Sequence, residues 1–348
     1  MSRRLTLFLV ALFAWSCGAR VPVGLPPIFP MRQAWTAPLP GIPEPPLATD
    51  GQRLFVTTRD GSLIALDLQR GERLWELAEV PGRATASEGA VILKQASGTL
   101  LSLHPKNGGA RWTVESGVAG GLPPVVDGDR VFVAGRGLAA FDLESGRVVW
   151  RADDGAEATA PVVVAGSRLY VGESDGTLRA RSREDGKSLW TAKTDAALAA
   201  PPVIDGPDRL FLGTRDRRIL SLQADNGHQD WRWKVGADIQ GPGLVHGNRV
   251  LFAAFDAVLW AIDRGNGHLG WRGLLTSRPI GGPIQVDGVA LVACHENELL
   301  GFELRKGRPI GGLRTTAVID TPPIVVSRRL FLGLRDRTAV ALDLGASP

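Results

Sequence analysis

Side chains that could carry metal or acid–base chemistry are few and scattered in this sequence. The 348 residues include five histidines and two cysteines, and the densest grouping is Cys294-His295-Glu296. A zinc site needs three or four such ligands converging from separated positions. The tripeptide ends an apolar run that begins at residue 290, and no distant ligand pair accompanies it. We therefore predict no metal site, and a Cys294 that packs as a small buried side chain.

Other catalytic signatures are missing from the sequence. It contains no phosphate-binding loop, no nucleophile elbow and no zincin motif. His228 and His268 each follow a turn glycine, and His246 lies in a turn sequence. Such scattered histidines offer no acid–base pair, so we expect a protein that is not an enzyme and that holds no cofactor.

Charge is distributed evenly along the chain. The formal net charge is +4, with 40 basic and 36 acidic side chains. This small excess, spread over a large surface, does not favour nucleic acid as a partner.

The N-terminus predicts an export signal that occupies residues 1–17. An apolar run over residues 5–15 is too short to span a bilayer as a helix and has the length of a signal-peptide core. The sequence Ser-Cys17-Gly18 that follows resembles the bacterial lipobox, although Ala14 stands where that motif usually has leucine. We predict that Cys17 is lipidated and becomes the first mature residue. Ordinary cleavage, with Cys17 as a spectator, is the alternative.

Lipidation would place the protein in the cell envelope. Gly18 after the cysteine resembles lipoproteins sorted to the outer membrane, so we expect a lipid-anchored protein on its periplasmic face. A soluble periplasmic protein is the alternative. Residues 18–30 are rich in proline and predict an extended tether.

Tryptophan recurs along the remaining chain at intervals of 37 to 41 residues. The series is Trp35, Trp75, Trp112, Trp150, Trp190, Trp231 and Trp271, and Gly311 occupies the next slot. A second series with the same period consists of arginines that each precede an apolar run: Arg53, Arg130, Arg168, Arg209, Arg249 and Arg329. Two markers with one period indicate a structural repeat of about 40 residues.

Residues 201–231 show what one repeat contains. Three short apolar segments are separated by turn sequences at 205–208, 214–217 and 224–227, and a fourth segment carries Trp231. Because no helical period is present, the unit predicts four short antiparallel strands joined by tight turns. Further copies cover residues 45–75, 85–112, 123–150, 160–190, 242–271, 283–311 and 322–343.

A finer motif, Ala-x-Asp-x-x-x-Gly-x-x-x-Trp, recurs within the units. Its complete copies contain Asp67, Gly71 and Trp75; Asp142, Gly146 and Trp150; and Asp263, Gly267 and Trp271. The aspartate can accept backbone N–H groups in a turn, and the glycine can reverse the chain. We expect the large indole to fill the wedge between neighbouring units, where its N–H needs an acceptor.

The count of units predicts a closed ring. The eighth unit ends near residue 343 without a fourth strand, while residues 32–36 supply one strand with a tryptophan and nothing before it. We therefore predict an all-β, eight-bladed β-propeller over residues 31–345, with four-stranded antiparallel blades, closed by the N-terminal strand. A monomer is expected.

Arginines also cluster in the turns between the second and third strands of several units. They are Arg59, Arg136, Arg215, Arg217, Arg218, Arg335 and Arg337. Strand alternation places these turns on one face of the ring, where they would form a basic rim that faces a partner. Local pairing with neighbouring aspartates at solvated hairpin tips is the alternative, and we favour it because such pairs are common and weak.

The tryptophan motif resembles the docking motif of the quinoprotein (PQQ-like) propeller repeat family, over residues 31–343. The resemblance implies one of two branches. Quinoprotein dehydrogenases bind pyrroloquinoline quinone and Ca²⁺ on the ring axis, and many carry adjacent cysteines that this chain lacks. The second branch consists of non-catalytic propellers, among them lipoproteins of the outer-membrane β-barrel assembly machinery.

We expect this protein to belong to the second branch and to be a periplasm-facing scaffold. As such it would be an accessory factor in outer-membrane protein assembly, with protein partners in an envelope complex. A quinoprotein oxidoreductase and a ligand- or glycan-binding propeller are the alternatives.

Overall fold

The computed structural model describes residues 28–345 as 32 β-strands in eight four-stranded sheets, with no helix among them. The predicted signal segment 1–17, its Cys17 and most of the predicted tether lie outside the described residues. Neighbouring strands within each blade pair in antiparallel fashion. The predicted eight-bladed propeller is confirmed.

Each blade takes its strands consecutively from the chain, except the last. Blade 1 contains β2 (Pro43–Thr49), β3 (Arg53–Thr58), β4 (Leu63–Asp67) and β5 (Arg73–Leu77). Blade 2 contains β6 (Arg83–Ala86), β7 (Val91–Lys94), β8 (Thr99–Leu103) and β9 (Ala110–Glu115). Blade 3 contains β10 (Val125–Asp127), β11 (Arg130–Gly135), β12 (Gly137–Asp142) and β13 (Val148–Ala152). Blade 4 contains β14 (Val163–Ala165), β15 (Arg168–Gly172), β16 (Thr177–Ser182) and β17 (Ser188–Lys193).

The second half of the ring follows the same order. Blade 5 contains β18 (Val203–Asp205), β19 (Arg209–Gly213), β20 (Arg218–Gln223) and β21 (Gln229–Lys234). Blade 6 contains β22 (Leu244–His246), β23 (Arg249–Ala254), β24 (Val258–Asp263) and β25 (Leu269–Leu274). Blade 7 contains β26 (Ile284–Val286), β27 (Val289–Cys294), β28 (Glu298–Glu303) and β29 (Pro309–Arg314). Blade 8 contains β30 (Ile324–Val326), β31 (Arg329–Leu334), β32 (Thr338–Asp343) and β1 (Arg32–Pro38).

The position of a strand within its blade explains its residue pattern. Second and third strands are nearly continuous apolar runs because both of their faces are covered, and all six residues of β27 are buried. Fourth strands alternate between half-buried and exposed residues, as in β21, because each forms the outer edge of its blade. First strands begin after prolines, such as Pro201 and Pro202, which have no N–H to donate to a ladder.

First strands of neighbouring blades contact one another, as β2 contacts β6, so they surround the axis of the ring. Apolar side chains of adjacent blades pack between the sheets. Phe55, Leu63 and Ala65 of blade 1, for example, form one buried cluster with Val91 and Leu93 of blade 2. The core is therefore a series of wedges around the ring rather than a single centre.

The N-terminal strand closes the ring, as predicted. β1 pairs with β32 from Arg32 opposite Asp343 to Pro38 opposite Thr338, with a bulge between Gln33 and Trp35. The eighth blade thus joins both ends of the described chain.

Two residues at the end of the predicted tether also pack into the ring. Ile28 is buried in the cluster between blades 7 and 8, and its carbonyl accepts the N–H of Gly345 at 2.9 Å. Phe29 lies against Gly301 and Gly311 of blade 7: a Cβ added to either glycine would lie 2.6 or 2.8 Å from the phenyl ring. Phe29 therefore occupies the space that a docking tryptophan would fill if one stood at position 311, where the chain has glycine.

Candidate functional site

All seven tryptophans of the repeat series contact the next blade. Each indole Nε1 donates to a backbone carbonyl beside the turn between the third and fourth strands of that blade, at 2.8 to 3.2 Å. Trp150 of blade 3, for example, donates to the Arg183 carbonyl of blade 4 at 3.0 Å. These contacts join blades 8 to 1, 1 to 2 and onward to 6 to 7.

The glycines and aspartates of the motif shape the turn that receives the indole. Gly71 has a φ of 73°, and a Cβ added there would lie 2.5 Å from Trp35, so only glycine fits. Gly146 and Gly267 have the same geometry against Trp112 and Trp231. The carboxylates of Asp67, Asp142 and Asp263 accept turn N–H groups, such as that of Arg70 at 2.8 Å from Asp67. These residues lie at blade interfaces and serve packing.

Three arginines of the second series reach the same turns. Arg130, Arg209 and Arg329 donate to carbonyls of the next blade: those of Arg183, Arg264 and Gln69, at 2.7 to 2.8 Å. Indole and guanidinium therefore hold the same turn at three of the seams, which makes these arginines part of the scaffold.

We call the end of the ring that carries the second-to-third-strand turns the lower face. The seven turn arginines lie there, in blades 1, 3, 5 and 8. Arg59 and Arg335 converge on Asp320, at 3.3 and 2.7 Å. Arg136 lies 3.7 Å from Glu157, and Arg218 pairs with Asp195 and Asp216 at 3.0 and 2.9 Å. Among residues 28–345, Arg215, Arg217 and Arg337 make no ion pair, so the unpaired positive charge of this set lies in blades 5 and 8.

The grouping Cys294-His295-Glu296 lies at the end of β27 and in the following turn. Cys294 is fully buried, and burial raises the pKa of its thiol. His295 is exposed and donates its backbone N–H to the Arg278 carbonyl at 3.0 Å. In the part of the chain that the structure describes, no three His, Cys, Asp or Glu side chains come close enough to hold a metal ion.

A buried ionic cluster occupies the seam between blades 3 and 4. Glu173, only 2% exposed, accepts from Arg179 at 2.7 Å, while Arg181 donates to Asp154 at 2.7 Å. Blade 5 has Leu220 and Leu222 at the positions of the two arginines. The cluster has its charges matched internally, so it leaves no net charge for a ligand.

A cleft of about 400 Å³ lies on the lower face beside the innermost strands of blades 1 and 2. Glu44, Arg83 and Lys94 contribute its charged side chains. Lys94 is 2% exposed and donates to the Gly120 carbonyl in the segment leading to blade 3, and burial lowers the pKa of its ammonium group to about 8. Sequence reasoning did not single out Lys94, which replaces a small residue: Gly172 and Gly213 occupy its position in blades 4 and 5.

The donors in this cleft do not fit a calcium–quinone pair. Calcium takes six to eight oxygen ligands from carboxylates, carbonyl and amide oxygens and water, and a cation beside them opposes its binding. The cleft supplies the single carboxylate Glu44 beside the cations Arg83 and Lys94, and Arg83 is already engaged with the Pro45 carbonyl. A second cleft, of about 690 Å³ between blades 1 and 2 on the opposite face, is lined by the polar side chains of Asp50, Arg53, Glu88, His104, Lys106 and Asn107.

Residues 28–345 contain no helix that is long and apolar enough to cross a membrane. A comparison with curated protein sequences gave no match. Among solved structures, BamB from Moraxella catarrhalis superposes with a TM-score of 0.78 at 16% identity, covering 90% of this chain and 100% of that one. The computationally designed protein Ika8 gives a TM-score of 0.77 at 14% identity, with 90% and 100% coverage.

The quinohemoprotein alcohol dehydrogenase from Comamonas testosteroni superposes with a TM-score of 0.75 at 13% identity, covering 91% of this chain and 77% of that one. At these identities, the three structures share the fold alone. The sequence itself matches a family model described as outer membrane protein assembly factor BamB, over residues 31–116, 96–201 and 176–321. Because these matches together span most of the ring, the chain belongs to the PQQ-like propeller family of outer membrane protein assembly factor BamB.

Proposed function

We propose that this protein is a non-catalytic scaffold of the cell envelope that holds protein partners during the assembly of outer-membrane proteins. The family match over residues 31–321 carries this proposal. Two further observations support it. Indole contacts join each of seven blades to the next, and the cleft beside the axis offers one carboxylate next to two cations, which does not suit a calcium–quinone pair.

The scaffold is anchored by a lipid on Cys17 and faces the periplasm from the outer membrane. In this proposal the ring is monomeric, and its lower face meets the partner. Arg215, Arg217 and Arg337 are the arginines of the predicted rim that remain free to pair with a partner's carboxylates. Arg59, Arg136, Arg218 and Arg335 contribute less, because each already has a carboxylate within 4 Å.

Affinity purification from detergent-solubilised membranes tests the proposal. The tagged full-length protein is compared with a Cys17→Ala variant, and the copurifying proteins are identified by mass spectrometry. We expect subunits of the barrel-assembly machinery with the lipidated form and fewer of them with the variant. A different envelope complex in their place would refute the role in assembly and leave the propeller intact.

The quinoprotein alternative is tested separately. Purified protein is dialysed against pyrroloquinoline quinone with and without Ca²⁺, and bound quinone is measured by absorbance. We expect no stoichiometric binding. Retention of one quinone per chain that depends on Ca²⁺ would contradict the non-catalytic proposal.

A further inference from the structure

The eight blades serve as controls for one another, because each position of the repeat can be compared around the ring. One seam, between blades 5 and 6, departs from the other seven at three neighbouring positions. All three departures replace small, aliphatic or polar residues with larger or more apolar ones.

The first departure is Trp233, on the outer strand β21 of blade 5. It lies two residues after the docking Trp231, opposite Ile219, and faces blade 6. The residues at this position in the other blades are Ala37, Leu77, Val114, Ala152, Ala192, Gly273 and Leu313.

The second departure is Trp260, on the third strand β24 of blade 6. It packs against the same buried cluster as Trp233, which places both indoles at one seam. The corresponding residues in the other blades are Ile64, Leu101, Ala139, Arg179, Leu220, Leu300 and Val340.

The third departure is the cross-strand pair Val258 and Leu274 of blade 6. Directly opposed residues of antiparallel strands lie on the same face, so this pair shares the face of Trp260, which opposes Arg272. Blades 2, 4, 5 and 7 have polar pairs here: Thr99 with Glu115, Thr177 with Lys193, Arg218 with Lys234, and Glu298 with Arg314. Leu274 is 75% exposed, the highest value among the large exposed apolar side chains of the described residues.

Trp233 of blade 5 faces this seam from one side, and Trp260, Arg272 and Leu274 of blade 6 share the face that meets it from the other. We call the surface formed by these four residues the seam groove. Each docking tryptophan has a carbonyl acceptor, but the buried Nε1 atoms of Trp233 and Trp260 have no hydrogen-bond partner within residues 28–345. A buried donor without a partner destabilises the fold, because it has lost its hydrogen bond to water. Among the described tryptophans, these two are the ones whose indole has no acceptor, and both lie at this seam.

The edge of the groove is an unpaired strand. β21 pairs only with β20, so its outer N–H and C=O groups are free to bind another extended chain. Arg272 is exposed on the same face of blade 6 as Leu274 and makes no ion pair among the described residues. Arg217, at the lower end of the seam, lies near the acidic residues Asp238 and Asp256 of the same seam.

We propose that the seam groove binds an extended segment of a partner protein, which adds as a strand to β21. Alternate side chains of that segment are apolar and pack on Trp233, Trp260 and Leu274, while a carboxylate on the segment pairs with Arg272. Strand addition supplies affinity through main-chain hydrogen bonds, and the alternating pockets supply specificity. The inference rests on the proposed scaffold function and identifies its binding surface.

A display library of random ten-residue peptides tests the groove directly. Peptides are selected on the immobilised purified protein, and their affinities are then measured for variants. Leu274→Lys installs the lysine that blades 4 and 5 have at this position, and Trp260→Leu installs the leucine of blades 2, 5 and 7. Leu189→Lys is the matched control, because Leu189 is 51% exposed on the outer strand of blade 4.

We expect enriched peptides with apolar residues at alternate positions and an acidic residue among the positions between them. They should bind the wild type and Leu189→Lys equally and bind Leu274→Lys at least tenfold more weakly. Absence of enrichment, or enriched peptides that bind Leu274→Lys with unchanged affinity, would overturn the proposal. Since Leu274 is largely exposed, Leu274→Lys should melt at the wild-type temperature, so it decides the outcome even where Trp260→Leu is unstable.

Sedimentation velocity distinguishes a partner from a second copy of this chain. A wild-type dimer that Leu274→Lys dissociates would assign the groove to self-association and overturn the partner proposal. Repeating the affinity purification with Leu274→Lys separates the two hypotheses. If the barrel-assembly subunits still copurify while the peptide selection fails, the groove proposal falls and the scaffold function stands.

Discussion

The buried ammonium group of Lys94 should make the stability of the ring depend on pH in a way that one substitution removes. Lys94 lies between blade 2 and the segment leading to blade 3, with the Gly120 carbonyl as its hydrogen-bond acceptor. Lys94→Met keeps most of the side-chain volume and removes the charge. The variant therefore separates the cost of desolvating the ammonium group from the contribution that the aliphatic part of the side chain makes to packing.

The size of the stability change follows from the pKa of Lys94, which is about 8, against 10.5 for an ordinary lysine. At about 1.36 kcal/mol per pKa unit, this difference costs the folded state roughly 3 kcal/mol when the amine is charged. The variant also loses the hydrogen bond to the Gly120 carbonyl, which offsets about 1 kcal/mol of the stability it gains by removing the buried charge. Lys94→Met should therefore be more stable than the wild type by about 2 kcal/mol at pH 7.

The sign of the pH dependence follows from proton binding. Between about pH 8 and 10.5 the unfolded chain binds the Lys94 proton and the folded chain does not, so wild-type stability rises with pH across this window. The free-energy cost of burying the charged Lys94 amine is fully present below pH 8 and disappears as the pH approaches 10.5. At pH 10 only about 1 kcal/mol of it remains, so the variant and the wild type should have nearly equal stability.

Urea unfolding followed by tryptophan fluorescence at pH 7, 8.5 and 10 measures this difference. Lys234→Met is the control, because it makes the same substitution at an exposed position on the outer strand of blade 5. A stability difference between Lys94→Met and the wild type that stays constant from pH 7 to 10 would refute the reasoning.

Three further predictions concern the seams of the ring. Deleting residues 32–38 removes the fourth strand of blade 8 and should abolish the cooperative thermal transition, whereas an unchanged midpoint would contradict closure by β1. Phe29→Ala should lower the free energy of unfolding by about 2 kcal/mol in urea titrations, and Phe29→Trp should retain it, if the phenyl ring replaces a docking tryptophan. Glu173→Gln leaves the Arg179 guanidinium unpaired and should cost about 3 kcal/mol, measured in the same way. The double variant Glu173→Gln/Arg179→Leu should recover most of that loss, since blade 5 has leucine there, and failure to recover would contradict it.

The architecture was predictable because the same pattern of apolar runs and turns recurs in eight units of the sequence. Turn glycines, apolar runs and docking tryptophans recur with one period, so an error in reading a single unit is corrected by its neighbours. Closure by β1 was predictable from a count of strands. The unit at 85–112 has His104 in place of the motif aspartate and Ala90 in place of the arginine, yet it still forms blade 2, because its apolar positions at Val91 and Leu93 are retained.

The structural roles of residues that differ from the repeat pattern were harder to predict from the sequence. Lys94 follows an apolar run and gives no sign in the sequence that its ammonium group is buried, because the carbonyl that accepts from it, at Gly120, comes from the segment leading to the next blade. The grouping of the turn arginines on the lower face was predictable from strand direction. Which of them are paired was not, since Asp320 and Glu157 come from segments that precede different strands.

The sequence by itself therefore determined the blades, their number and the strand that closes the ring, since each depends on local patterns and on counting. Only the tertiary structure decided which side chains meet at a seam. Phe29 reaches the position beside Gly311 because closure brings the segment that precedes β1 next to blade 7. Trp233 and Trp260 belong to different repeats and come together because the ring packs adjacent sheets face to face. Contacts between blades depend on the three-dimensional path of the chain, which a one-dimensional period does not contain.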